Sequence, residues 1–190
     1  NVPNINGSNL FPNLTHIGGH INILAKTPAA MNGFNSLQTL DGNFNVTTEF
    51  LSSLSGFSSL TRNGYPGSDY GTFSLSDSSL LTQVNGFGSL QYIRGLATIT
   101  NNPLLQQLPN FSSLTQLGSQ LAIQNNNSLQ SISQFNSLHT MQGTLYLNSN
   151  AALQSISFPN LVTINEGLSV LSNPSLTTVN FPSLEQVAGT

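Results

Sequence analysis

The stretch that decides the fold is FSSLTQLGSQLAIQNNNSLQSISQ, residues 111–134. Phe111 is followed three residues on by Leu114 and six on by Leu117, and Gly118 comes next. Leu121 and Ile123 alternate with Gln120, the small Ala122 and Gln124, which places both large side chains on one face of a short strand. Asn126 follows, and Leu129 and Ile132 close the stretch before Phe135 begins it again. The Phe-x-x-Leu signal occurs at Phe11, Phe34, Phe57, Phe87, Phe111, Phe135, Phe158 and Phe181, with gaps of 23, 23, 30, 24, 24, 23 and 23 residues. Self-similarity at this period is the signature of a solenoid, in which each repeat buries its apolar face only against its neighbours.

Superposed, the repeats define the cross-section of one rung. The sixth position is aliphatic in Ile17, Leu40, Ile93, Leu117, Met141, Ile164 and Val187. An alternating apolar pair stands at ten and twelve, and apolar residues return at eighteen and twenty-one. Three short extended stretches separated by turns, with no helical spacing and many Ser, Thr, Asn and Gly residues, exclude helix. The expectation is an all-β fold: a right-handed parallel β-helix, or leucine-rich solenoid, of about seven to eight rungs with 23–24-residue repeats, forming a single domain over 1–190. Asn102, Asn126, Asn150 and Asn173 recur at one corner, where a short amide can bond backbone groups that a tight turn leaves unpaired. They are expected to form a structural Asn ladder. The 30-residue repeat carries an insertion at about 62–70, Arg62-Asn63-Gly64-Tyr65-Pro66-Gly67-Ser68-Asp69-Tyr70, and loops that interrupt a solenoid are frequent binding elements. The chain opens at Asn1 and stops at Thr190 in mid-rung, so both ends read as uncapped, as in a piece of a longer protein or one whose ends make contacts.

Composition narrows the function. Charged residues are 5% of the 190, against about 25% in ordinary globular domains. With Lys26, Arg62 and Arg94 as the whole cationic complement, no basic patch exists for phosphates, and nucleic-acid binding is excluded. The chain has no cysteine, hence no disulfide and no thiolate metal site. No apolar run has the length of a membrane span. The hydroxyl- and amide-rich composition points to an extracellular setting: secreted, cell surface or cell wall. Sequons at Asn6, Asn13, Asn45 and Asn110 are glycosylation candidates, whereas the sequon at Asn126 belongs to the corner column and is expected to face inward.

The run Leu-x-x-Ile-x-Gly-x-Leu-x-Ile-x-x-Asn-x-x-Leu, clearest in IRGLATITNNPLLQQL (93–108), in residues 111–132 and in FPNLVTINEGLSVLSNPSLTTV (158–179), resembles the receptor L-domain. That leucine-rich β-helical module is found in insulin- and epidermal-growth-factor-type receptors and in fungal Ecm33-like cell-wall proteins. The resemblance covers nearly the whole chain and implies an extracellular, non-catalytic recognition or wall-structural module. The cysteines of receptor versions are missing here, which makes the simpler surface proteins the closer comparison.

Catalytic chemistry on a β-helix needs clustered carboxylates on one face. The six acids, Asp41, Glu49, Asp69, Asp77, Glu166 and Glu185, fall on different rungs, and only Asp69 and Asp77 share a neighbourhood. His16 and His20 lie in turn and strand and His139 on another rung, so no metal site, no cofactor and no enzymatic activity are expected. The binding candidates are Arg62, Tyr65, Asp69 and Tyr70 of the insertion, together with Tyr92 and Tyr146, whose rings suit a sugar or a protein partner. One column of outward residues reads His16, Thr39, Arg62, Tyr92, Gln116, Thr140, Thr163 and Gln186; a second reads Asn22, Asn45, Ser74, Thr98, Ala122, Tyr146 and Ser169. The expected function is recognition or adhesion at the cell surface, with a glycan or protein as partner. Two alternatives are a structural protein joining further copies of itself end to end in a fibre or wall layer, and an ice-binding protein.

Overall fold

The computed structural model describes residues 11–24, 29–67 and 71–189. Among them every regular element is a strand, and every pairing between strands is parallel. The strands stack as a β-solenoid of about seven turns with a spacing near 24 residues. An eight-stranded sheet runs from His16–Ile17 through Arg62–Asn63, Tyr92–Ile93, Gln116–Leu117 and Thr140–Met141 to Gln186–Val187. A seven-stranded sheet runs from Ile21–Ile23 through Phe73–Ser76, Ala97–Thr100, Leu121–Gln124 and Leu145–Asn148 to Leu168–Ser169. The register is one repeat per rung: Tyr92 pairs with Arg62 behind it and Gln116 ahead.

The third side is split into two three-stranded sheets, Ala29–Asn32 with Leu51–Ser55 and Gln83–Val84, and Ser131–Ile132 with Ser155–Ser157 and Thr178–Asn180. Proline accounts for one flank of the interruption. Asn85 N–H donates to the Leu54 carbonyl at 2.8 Å, and the equivalent residue of the next rung is Pro109, which has no N–H to give. On the other flank the Ser133 N–H donates to Gln134 Oε1 at 2.9 Å instead of to the rung behind.

The repeated Phe side chains form the spine of the core. Rings of successive rungs stack at 5.2 Å for Phe111–Phe135 and Phe135–Phe158 and at 5.3 Å for Phe158–Phe181. The column is disturbed once, between Phe87 and Phe111, whose centroids stand 6.2 Å apart. There a second aromatic column intrudes from the seven-stranded sheet: Phe44 and Phe73 stack at 5.0 Å, and Phe73 meets Phe87 edge-on at 5.0 Å and Phe111 at 5.4 Å.

Three placements differ from the sequence expectations. Arg62 and Asn63 are regular ladder residues, paired with Thr39 and Leu40 on one side and Tyr92 and Ile93 on the other, so the extra chain lies between Asn63 and Phe73 instead of starting at Arg62. Asn63 occupies the aliphatic sixth position and is fully buried between Leu40 and Ile93. Ala122 is buried instead of outward, because its methyl sits in the row between the larger Thr98 and Tyr146. In the last described rung the apolar positions are uncovered: Leu168 is 37% and Val179 54% exposed.

Candidate functional site

Alternation in the two-residue strands of the eight-stranded sheet turns the sixth position inward and the fifth outward. The fifth-position column therefore forms one polar face, in register from His16 to Gln186. At its start, His16 Nδ1 shares a 2.8 Å hydrogen bond with Thr39 Oγ1, and His16 Nε2 lies 3.4 Å from Asp41 Oδ2. Arg62 Nη2 donates to Asp41 Oδ1 at 2.7 Å, and its guanidinium carbon stands 5.6 Å from the centre of the Tyr65 ring, within cation–π range. The hydroxyl–imidazole–carboxylate order resembles that of a hydrolase, but the guanidinium neutralises the carboxylate that would polarise the imidazole. It is better described as a cross-rung polar network.

The insertion emerges beside this network. Asn43 Oδ1 accepts from the N–H groups of Gly71 and Thr72 at 2.9 and 3.0 Å, which ties the returning chain down. Gly71 has φ of 123°, and a Cβ there would come within 2.7 Å of the Gly64 Cα and the Arg94 Cβ, so only glycine fits. Tyr65 is 55% exposed. Asp69 and Tyr70 lie outside the described residues, as does Asn6.

Further along the same face lies a groove of about 410 Å³ lined by Tyr92, Arg94, Gln116, Gly118, Thr140 and Gln142, with Leu117 beneath. These are the fifth and seventh positions of three successive rungs. The middle seventh position is Gly118, where a Cβ would overlap the Arg94 carbonyl oxygen; the side chain excluded there leaves the floor open between Arg94 and Gln142. Arg94 Nη1 donates to the Tyr92 hydroxyl at 3.3 Å, and Gln142 Oε1 accepts from Asn165 Nδ2 at 2.8 Å. Both contacts fix the side chains that flank the opening. The described lining holds no carboxylate.

The structure thus brings Arg62, Tyr65 and Tyr92 onto one face and leaves Tyr146 on the seven-stranded sheet, between Ala122 and Ser169. Arg94, Gly118 and Gln142 were not singled out as binding residues from the sequence; the column to which they belong also holds Gly18, Gly64 and Ala188, so only the flanking of Gly118 by Arg94 and Gln142 sets the place apart. Of the sequons, Asn13 and Asn110 are exposed, while Asn45 is half-buried and donates to Asn22 Oδ1 at 2.9 Å. Asn126 is fully buried. Its Nδ2 donates to the Ile99 carbonyl at 2.8 Å, Asn102 Nδ2 to Leu75, Asn150 Nδ2 to Ile123 and Asn173 Nδ2 to Leu147. Ser78 stands in line with them, its N–H donating to Asn102 Oδ1 at 3.2 Å.

Among the described residues no group of three His, Asp or Glu side chains could hold a metal ion, and no helix is long and apolar enough to cross a membrane. In comparisons with known proteins, no family model, no curated protein and no solved structure matches the chain.

Proposed function

We propose that this chain is a non-catalytic extracellular recognition module that binds a glycan on the outer face of its eight-stranded sheet. The observation that carries the reading is the groove over Gly118: one aromatic ring, one guanidinium and several amides and hydroxyls converge on it. Sugars present an apolar ring face and a rim of hydroxyls, and a rigid aromatic surface beside fixed amides complements both. A protein partner is less favoured, because interface cores are apolar and aromatic and the groove is mostly polar. The uncharged surface and the resemblance to receptor L-domains support the cell-surface setting. Ice binding is disfavoured by mixed side chains along this column and by the buried Ala122 interrupting the outward row of the seven-stranded sheet.

The test is a glycan array probed with the labelled protein and with its Tyr92→Ala variant. The reading expects at least one glycan class bound by the parent and lost in the variant, with an unchanged circular dichroism spectrum. Absence of any bound glycan, or binding indifferent to Tyr92, would sink it.

A further inference from the structure

We infer that the groove takes a neutral, extended β-1,4-linked glycan chain lying along the solenoid axis, with one sugar ring per rung. The inference rests on the glycan reading above and adds the linkage, the direction and the length of the occupant.

Direction follows from register. Tyr92, Gln116 and Thr140 are cross-strand partners in three consecutive strands, so the line joining them crosses the strands and follows the axis. Arg94, Gly118 and Gln142 form the parallel line two residues further along each strand. A ligand filling the space between the lines lies lengthwise over three rungs.

Linkage follows from pitch. Neighbouring parallel strands lie about 4.8 Å apart, and the stacked Phe rings of successive rungs between Phe111 and Phe158 stand 5.2 Å apart, centroid to centroid. Hexopyranoses joined through equatorial bonds at C1 and C4 form a ribbon that advances about one ring length per sugar, nearly the same step. Each sugar is turned over relative to the last, so alternate sugars meet alternate rungs in equivalent positions while the chain stays straight and in step with the solenoid. An α-1,4 chain of the same sugar coils and falls out of step.

Length and charge follow from the lining. The volume of about 410 Å³ sits in the lower part of the roughly 300–1,000 Å³ range of small-molecule sites. Two or three sugars fill it. Tyr92 supplies the stacking surface at one end, steadied by its hydroxyl contact with Arg94. Gln116 is exposed at the centre, and Gln142, held through Oε1 by Asn165, offers its Nε2 at the other end. These are donors and acceptors for hydroxyl groups, matched to a neutral chain.

The experiment is isothermal titration of the whole chain with cello-oligosaccharides of one to six sugars, and with malto-oligosaccharides of the same lengths. Chito-oligosaccharides run alongside as the N-acetylated form of the same backbone. The expected result is affinity that rises with each β-1,4-linked sugar up to three and then levels, with malto-oligosaccharides at least tenfold weaker. Gln116→Ala and Thr140→Val should each weaken binding at least threefold, and the second preserves side-chain shape. Equal affinity for α- and β-linked chains, or affinity still rising steeply beyond three sugars, overturns the alignment and leaves glycan recognition standing. No binding to either β-1,4 series, while the array shows another glycan lost in Tyr92→Ala, overturns this inference alone. Silence in both experiments overturns both.

Discussion

The backbone N–H of Asn126 donates to the side-chain oxygen of Asn150, one rung ahead, at 3.0 Å. The same contact recurs from Asn102 to Asn126 at 3.2 Å and from Asn150 to Asn173 at 2.9 Å. Each amide therefore engages two backbone groups of one neighbouring rung. Its oxygen accepts from the rung behind, while its NH₂ group donates to a carbonyl of that rung, as Asn126 does to Ile99. The corner is tight because the preceding residues, Asn101, Asn125, Ser149 and Ser172, adopt positive φ near 57–58°, and such a turn leaves the inner N–H of the next residue without a ladder partner.

Truncating the middle of this column should therefore cost far more than a surface substitution. Asn126→Ala leaves Asn102 N–H without its partner in a dry corner, at about 1–3 kcal/mol, and takes from the Ile99 carbonyl the amide that it accepts in addition to its ladder bond, worth about 1 kcal/mol. A loss of about 2–4 kcal/mol is expected from urea denaturation midpoints at unchanged slope. A loss under about 1 kcal/mol would show that water replaces the amide.

Two glycines of the same chain should respond oppositely to alanine. At Gly118 a Cβ overlaps backbone of the neighbouring rung, and backbone in a stacked solenoid cannot move for one rung alone. Gly118→Ala is expected to lose about 2 kcal/mol or more through overpacking. At Gly167 the nearest atom to a new Cβ is the Thr144 side-chain methyl at 3.3 Å, which can rotate. Gly167→Ala should stay within about 0.5 kcal/mol of the parent. Thermal melts of the two variants side by side decide the matter; equal effects would remove the argument that the backbone of the neighbouring rung imposes Gly118.

Asn63 offers a stabilising substitution. Its Nδ2 donates to the Gly42 carbonyl at 2.8 Å, but its Oδ1 is buried with no partner, in a column whose neighbours are Leu40 and Ile93. An orphaned buried acceptor costs about 1–3 kcal/mol; the substitution removes one at Asn63 Oδ1 and takes its side-chain donor from another, the buried Gly42 carbonyl, so these two terms roughly offset. Asn63→Leu also adds apolar burial of about 1.5–3 kcal/mol. The net expectation is a gain of about 1–3 kcal/mol, read as a rise in the denaturation midpoint. A lower midpoint would mean that Gly42 depends on the amide more than the core gains from leucine.

What the sequence discloses follows the constraint that burial imposes. Inward positions must be apolar and of one size class, so Phe111, Leu114, Leu117, Leu121 and Ile123 announce the rung, and seven further copies confirm its period. Asn126 is equally legible, because a buried corner accepts few side chains. Outward positions face water and tolerate most residues, so the column of Arg62, Tyr92, Gln116 and Thr140 carries no pattern of its own. The groove is harder still to see: it arises from an absent side chain at Gly118 flanked by long ones in other rungs, a relation between residues 24 apart. Pro109 stands in the sequence without announcing a gap in the third side; the Asn85 contact shows which ladder bond it removes.

The small residue at Ala97 compensates for a large one at Phe73, its partner in the preceding strand. Equivalent positions further on are Leu121 and Leu145, whereas here the Phe73 ring reaches past Ala97 to meet Phe111 edge-on at 5.4 Å. Ala97→Leu alone forces the new side chain into that ring and is expected to cost about 1–3 kcal/mol. Phe73→Leu alone withdraws the ring and leaves a void beside Phe87 and Phe111, which also destabilises. Together the two changes restore the leucine pair seen in later rungs, so the double variant should be more stable than the sum of the single losses by at least about 1 kcal/mol, well beyond the roughly 0.3–0.5 kcal/mol within which independent sites add. Equilibrium unfolding of the four proteins in one denaturant series measures that coupling directly. Additive losses would mean that Ala97 is small for a reason unconnected with Phe73, and that the irregular Phe87–Phe111 spacing is set by the insertion between Asn63 and Phe73 instead.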